Sequence, residues 1–107
     1  MKITKSLKIL GLGVVLALAT PSIMQANAIK GQKLFIKKYK EACGFNGAVM
    51  AGKHTQDEWE AFNDAGSLEE EMKTLCPNIK DVKDSYLPHM YDFFYKYASD
   101  SGNVPSC

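Results

Sequence analysis

Arginine is missing from this sequence. All 13 of its basic residues are lysines, and 12 aspartates and glutamates nearly balance them, which leaves a formal net charge of +1. Domains that bind nucleic acids present a strongly basic surface built from clustered lysine and arginine. The near balance of charge therefore argues against a nucleic-acid-binding function.

Catalytic motifs are also missing. The chain has no P-loop, no H-E-x-x-H metal motif, no C-x-x-C redox pair and no recognisable nucleophile motif, and its only histidines are His54 and His89. The acidic residues in the middle of the chain stand near predicted helix starts, where the helix dipole favours carboxylates. They are not arranged as a catalytic pair, and we predict that the protein is not an enzyme.

Long apolar runs are missing as well. The longest, Ile9 to Ala19, is much shorter than the roughly 20 residues that a membrane-spanning helix needs. Three lysines precede it, and small residues ending in Ala26-Asn27-Ala28 follow it. This order is typical of a cleavable secretory signal. We therefore predict a signal peptide over residues 1–28, a periplasmic location, and no membrane insertion after cleavage.

The predicted exported chain, residues 29–107, is the length of one small domain and contains all three cysteines: Cys43, Cys76 and Cys107. Small exported domains commonly rely on disulfides, because their cores are modest and their compartment is oxidising. Three is an odd number. One sulfur is therefore left for a cofactor, a partner or a free thiol.

Apolar residues recur at helical spacing through most of this domain, and strand patterns are weak. We predict an all-α domain with four helices: one over residues 30–42, one starting at Thr55, one starting at Ser67 and ending before Pro77, and one over 85–98. Two capping boxes are expected, ending in Glu58 and Glu70. A glycine-rich loop over residues 44–54 separates the first two helices.

Charge is distributed unevenly along the domain. Lysines crowd the first helix at positions 30, 33, 37, 38 and 40, whereas acidic residues crowd the stretch from 57 to 71. These segments are interpreted either as two solvated helix faces or as a docking surface for a charged partner.

Three short stretches carry a resemblance to a known family. They are KGQKLF at residues 30–35, HTQDEW at 54–59 and MYDFFYKYAS at 90–99. Together they resemble the first, middle and last helices of a class I c-type cytochrome domain. The resemblance implies a small four-helix fold in which Gly31 and Phe35 allow the first helix to cross the last one closely. It also implies haem c, electron transfer and a periplasmic redox partner.

The family attaches haem through C-x-x-C-H, in which both cysteines form thioethers and the histidine ligates iron. Cys43 matches the first cysteine, whereas Asn46 and Gly47 stand where the second cysteine and the histidine would be. The resemblance thus implies at most a single thioether. The remaining candidates for axial ligands, or for a metal site, are His54, His89 and Met90.

Three functions remain open at this point. The first is a cytochrome-like electron-transfer protein with atypical haem attachment. The second is a haem-free helical module held together by a disulfide, with a binding or accessory role. The third is a binder of a soft metal such as Cu(I), which prefers sulfur and imidazole ligands.

The cysteine pairing is not decided by loop length, because a Cys43–Cys76 link and a Cys76–Cys107 link close loops of similar size. Cys107 ends a tail that needs tying down, and the resemblance assigns the sulfur of Cys43 to a cofactor. We therefore predict a Cys76–Cys107 disulfide with Cys43 as the odd sulfur. We also predict that Trp59 and Phe62 face the core near the last helix.

Overall fold

Helices make up the architecture of the computed structural model, which describes residues 27–104. Within that range there are six α-helices and no strand. The helices are α1 (Ala28–Lys38), α2 (Lys40–Cys43), α3 (Gly47–Ala51), α4 (Gln56–Asp64), α5 (Leu68–Leu75) and α6 (Leu87–Lys96), and a 3₁₀ turn (Asp84–Tyr86) precedes α6. The all-α prediction is confirmed. All but the last two residues of the predicted signal peptide lie outside the described range.

Six helices replace the four that were predicted, because the first predicted helix is divided in two and the predicted loop over residues 44–54 contains a helix. The first predicted helix breaks at Tyr39, whose φ of −124° leaves the helical region, and α2 continues as a separate turn. The glycine-rich stretch contains α3, which Asn46 caps by accepting a hydrogen bond from the Val49 N–H at 3.2 Å. A side-chain cap of this kind satisfies a backbone donor that the helix itself leaves unpaired.

The start of α4 is the one that the sequence predicts. The Thr55 hydroxyl accepts from the Glu58 N–H at 3.2 Å, and the Glu58 carboxylate accepts from the Thr55 N–H at 2.9 Å, which completes the capping box. The second predicted box is wrong. The Ser67 hydroxyl does not cap α5 but donates to the Phe62 carbonyl at 3.3 Å, across the turn at Gly66.

The centre of the domain is the crossing of α1 and α6. A Cβ atom on Gly31 would collide with the carbonyl oxygen of His89 and with Phe93, so only glycine permits this approach. Phe35, one turn later on α1, is fully buried against the rings of Phe93 and Phe94. The close crossing expected from Gly31 and Phe35 is therefore present.

Aromatic packing joins α4 to the same centre. The Trp59 ring has no exposed surface and stacks on Phe94, with ring centroids 4.6 Å apart. Its indole N–H donates to the Ala51 carbonyl at 2.9 Å, so the polar edge of the buried ring is satisfied. Phe62 is half-buried and contacts Trp59 at 6.0 Å. Both residues face the core as predicted.

The segment after Pro77 has no regular structure until the 3₁₀ turn at Asp84, yet it is held firmly against the helices. Ile79 and Val82 are buried, and the Val82 N–H donates to the Glu69 carboxylate at 2.8 Å. The Asn78 side chain donates to the Ala42 carbonyl at 3.0 Å. Two side-chain hydrogen bonds and two buried apolar residues thus hold this segment in place without regular backbone hydrogen bonding. Within residues 27–104 no helix is long and apolar enough to cross a membrane.

Candidate functional site

The cysteine pairing differs from the prediction. Cys43 is bonded to Cys76, with 5.4 Å between the Cα atoms, so the predicted Cys76–Cys107 disulfide is wrong. The reason is geometric: α2 ends at Cys43 and α5 ends just before Cys76, and the fold brings these two helix ends side by side. Cys107 itself lies outside the described residues. It becomes the odd sulfur in place of Cys43.

This pairing bears directly on haem attachment, which the resemblance assigned to Cys43. A thioether needs a free thiol, and the Cys43 sulfur is engaged in the disulfide. The neighbouring positions of the motif also have structural tasks. Asn46 caps α3, and Gly47 lies so close to the Phe93 ring that a Cβ atom there would collide with it. The region that resembles a haem-attachment motif is therefore a packed corner of the fold.

His54, one candidate axial ligand, is committed to two carboxylates. Its Nε2 lies 2.7 Å from Glu71 and its Nδ1 lies 3.3 Å from Glu58. Its ring also packs against the rings of Trp59 and Phe62, each with a centroid distance of 4.9 Å. Through its two ring nitrogens, His54 thus links Glu58 of α4 to Glu71 of α5.

His89 and Met90, the other two candidates, lie at the start of α6. The Nδ1 of His89 accepts a hydrogen bond from the Asn27 N–H at 3.1 Å, and the Met90 side chain is fully buried. His54 lies near the opposite end of α6, where its carbonyl accepts from the Ser99 N–H at 3.0 Å. The helical rise from His89 to Lys96 alone is about 10 Å. Metal–ligand bonds are only about 2.0–2.6 Å long, so His54 and His89 cannot bind one ion in this fold.

The residues present therefore do not fit haem. The thioether sulfur is used, and the histidine candidates are separated by the length of a helix. Among residues 27–104 no group of three or more His, Cys, Asp or Glu side chains is placed to hold a metal ion. The donor set of the predicted site is dispersed over the fold.

A different feature lies beside the disulfide. A surface depression of about 370 Å³ separates the end of α1 and α2 from the segment after Pro77. We call it the disulfide groove, because Ala42 and Asn78 on its wall are close in sequence to Cys43 and Cys76. Its lining residues are Lys38, Tyr39, Ala42, Asn78, Ile79, Lys80, Asp81, Lys83 and Tyr86.

Tyr39 and Ile79 form the least exposed part of this groove, at 6% and 5% exposure. Burial, together with the nearby Tyr86, Asp81 and Glu69, raises the pKa of Tyr39 to about 12. The phenol is therefore protonated at every pH at which the protein is normally studied. It provides a permanent O–H donor at this site.

Three lysines surround the floor: Lys38, Lys80 and Lys83. None of them forms an ion pair with a residue in the described range. The Lys83 ammonium lies 5.6 Å from the centre of the Tyr86 ring, which is a cation–π distance. Asp81 is the only acidic residue that lines the groove, so the local charge is positive.

None of the candidate site residues inferred from the sequence lies in this groove. Its two walls are separated in sequence by more than 30 residues, and they are joined by the Cys43–Cys76 disulfide and by the hydrogen bond from Asn78 to the Ala42 carbonyl. The polar segment from Asn78 to Tyr86, with two lysines and a tyrosine, is the local signal that could have indicated this groove. The segment could be assigned to a groove only after the Cys43–Cys76 pairing was known.

Comparisons with known proteins do not add a relative to this description. No protein-family model, no curated protein and no solved structure matches the chain.

Proposed function

We propose that this chain is an exported, haem-free helical binding module, held together by the Cys43–Cys76 disulfide. The observation that carries the proposal is the disulfide itself. It uses the one sulfur that the cytochrome resemblance assigned to haem, and it links α2 to the end of α5 beside the groove. A disulfide at this position also fits a protein that folds in an oxidising compartment.

The resemblance to class I c-type cytochromes retains a place in this proposal. The close crossing of α1 and α6 at Gly31 is the feature that the resemblance implied for the scaffold. The positions that the resemblance implied for cofactor attachment have other tasks: Cys43 is a disulfide partner, Asn46 is a helix cap and Gly47 is a packing contact. The helix crossing is present, whereas the residues that would attach haem have other roles. This combination favours a binding or accessory role over electron transfer.

The test is to produce the protein in a host that matures c-type cytochromes and to record its visible spectrum. We expect a colourless protein. A Soret band that survives acid–acetone extraction, which removes non-covalent haem, would contradict the proposal.

Counting thiols in the same preparation tests the pairing. We expect one free thiol in the unfolded, unreduced protein, located at Cys107 by peptide mapping, and a peptide that links Cys43 to Cys76. A Cys107→Ser variant is the matched control and should have no free thiol. Detection of a Cys76–Cys107 peptide would show that the pairing in the structure is wrong.

A further inference from the structure

We propose that the disulfide groove binds a small organic anion, one with a carboxylate or phosphate group on an apolar body. This inference rests on the proposed binding role and adds the site and the ligand class. The groove volume of about 370 Å³ falls within the range of small-molecule pockets, roughly 300–1,000 Å³. Three properties of the lining favour such a ligand: a donor without a protein partner, cations without an ion-pair partner among the described residues, and an apolar floor.

The unused donor is the hydroxyl of Tyr39. Tyr39 is only 6% exposed, yet its hydroxyl forms no hydrogen bond with any residue in the described range. No buried side-chain oxygen or nitrogen in that range lacks a partner, so this hydroxyl must reach solvent. The groove is the opening that Tyr39 lines. A protonated phenol at the base of an open groove can donate to a ligand oxygen.

The unpaired cations are Lys38, Lys80 and Lys83, which lie around the groove without an acidic partner among the described residues. Lysines of one charge sign around a surface depression raise the positive potential there. An anionic group that accepts from Tyr39 therefore also gains attraction from these lysines. Hydrogen bonds to a charged acceptor are stronger than those between neutral groups.

The apolar floor determines the rest of the ligand. Ile79 is buried against the core, and the half-buried Tyr86, whose ring centre lies 5.6 Å from the Lys83 ammonium, also lines the groove. Binding sites combine such surfaces with a few polar groups that fix orientation. An anion with an aromatic or aliphatic body uses both parts, whereas a bare inorganic anion uses only the polar part.

Substitution of Asp81 should change the affinity for the anion in the direction opposite to substitution of Tyr39 or Lys80. The Asp81 carboxylate lies close enough to Tyr39 to help raise the pKa of that phenol, and it is the only acidic residue lining the groove. A bound anion would be repelled by it. Neutralising Asp81 should therefore tighten binding, whereas changes to the donor or the cations should weaken it.

Phenyl phosphate is the probe, and the measurement is its titration into the oxidised, full-length protein followed by backbone amide NMR. We expect saturable shifts centred on Asn78 and Lys80. Tyr39→Phe, which removes only the unpartnered hydroxyl, should weaken binding about tenfold. Lys80→Gln should weaken it about three- to tenfold, and Asp81→Asn should tighten it by a similar factor. Lys96→Gln, a lysine that does not line the groove, is the control and should leave the affinity unchanged.

Two further ligands separate the contributions. Benzoate should bind at the same amides as phenyl phosphate, whereas benzyl alcohol, which has the ring but no charge, should not saturate. Added salt should weaken phenyl phosphate binding, because the attraction is partly Coulombic.

The inference is overturned if Tyr39→Phe and Lys80→Gln bind phenyl phosphate as the unmodified protein does, or if no saturation is reached. It is also overturned if the shifts centre on Lys30, Lys33 and Lys37, the lysines of α1 that do not line the groove. Such a result in a colourless protein with a linked Cys43–Cys76 peptide would leave the haem-free module standing. A haem-containing protein would instead remove the proposed function on which this inference rests.

Discussion

Two regions of this domain are held together by different means. The aromatic region consists of α1, α3, α4 and α6, and its centre is packed from rings, with Trp59 stacked on Phe94 and Phe35 enclosed between helices. The disulfide region consists of α2, the end of α5 and the segment from 77 to 86. It has few regular backbone hydrogen bonds, and it is held by one covalent link, two side-chain hydrogen bonds and the buried side chains of Ile79 and Val82.

The difference shows that two parts of a small domain can be stabilised in different ways. Close packing makes a region rigid and leaves no space for a ligand. A covalent link can hold two backbone segments near each other without filling the space between them, and the disulfide groove is such a space. We therefore expect changes in the aromatic region to affect folding, and changes in the disulfide region to affect the groove first.

The largest effect is expected for Trp59→Ala. It removes a fully buried ring that stacks on Phe94 and leaves the Ala51 carbonyl without its indole donor. Loss of a buried large aromatic residue typically costs about 3–5 kcal/mol. The measurement is chemical denaturation, with Tyr95→Ala, an exposed aromatic residue on α6, as the control. Equal stability of the two variants would contradict the central role of Trp59.

Removing the disulfide is expected to come next. The Cys43→Ser/Cys76→Ser double variant opens a link between residues 33 positions apart, which the chain-entropy model values at about 3–4 kcal/mol. Hydrogen exchange should show faster exchange for Val82 and Ile79 than in the unmodified protein, with a smaller change at Phe94. A uniform change over both regions would mean that they unfold as one unit and would remove the distinction drawn above.

A smaller effect is expected for Gly31→Ala. Alanine is intrinsically the better helix former, by about 1 kcal/mol. Here, however, its Cβ would meet the backbone carbonyl of His89, which cannot move aside as a flexible side chain can. We expect a net destabilisation of about 1–3 kcal/mol, the usual cost of overpacking. Gly52→Ala is the control, because a Cβ there meets only the carbonyls of its own turn, at 3.3 Å or more. A stabilised Gly31→Ala protein would show that the helices do not cross this closely.

The smallest effect concerns Glu69, which accepts from the Val82 N–H. That backbone hydrogen bond, aided by Lys73, holds the pKa of Glu69 below its ordinary value of 4.5. A depressed carboxyl pKa stabilises the fold above the ordinary value, and this stability is lost as the pH falls through the depressed pKa. The free energy of unfolding should therefore fall less steeply with decreasing pH in Glu69→Gln than in the unmodified protein. The glutamine amide oxygen can still accept the hydrogen bond from the Val82 N–H. Glu69→Ala leaves the donor unpaired and should cost about 1–2 kcal/mol at neutral pH. Identical acid sensitivity in Glu69→Gln and the unmodified protein would exclude this contribution.

Local features of the fold were determined by the sequence itself. The helical class, the capping box at Thr55, the end of α5 before Pro77 and the inward orientation of Trp59 all follow from short patterns. Each depends on residues within one or two helical turns, where spacing and hydrogen-bonding capacity are visible in the sequence. The second capping box is absent because the Ser67 hydroxyl donates to the Phe62 carbonyl across the turn at Gly66 and does not accept from a backbone N–H of α5.

The cysteine pairing and the groove were decided only by the tertiary structure. In the chain-entropy model the two candidate disulfides were nearly equal, and Cys43 could be assigned to Cys76 only after the ends of α2 and α5 were placed together. The tertiary structure also places His54 and His89 near opposite ends of α6, and it brings Tyr39 and Lys80 into one groove. Contacts between residues that are distant in sequence depend on how the helices pack. A local pattern in the sequence does not contain that information.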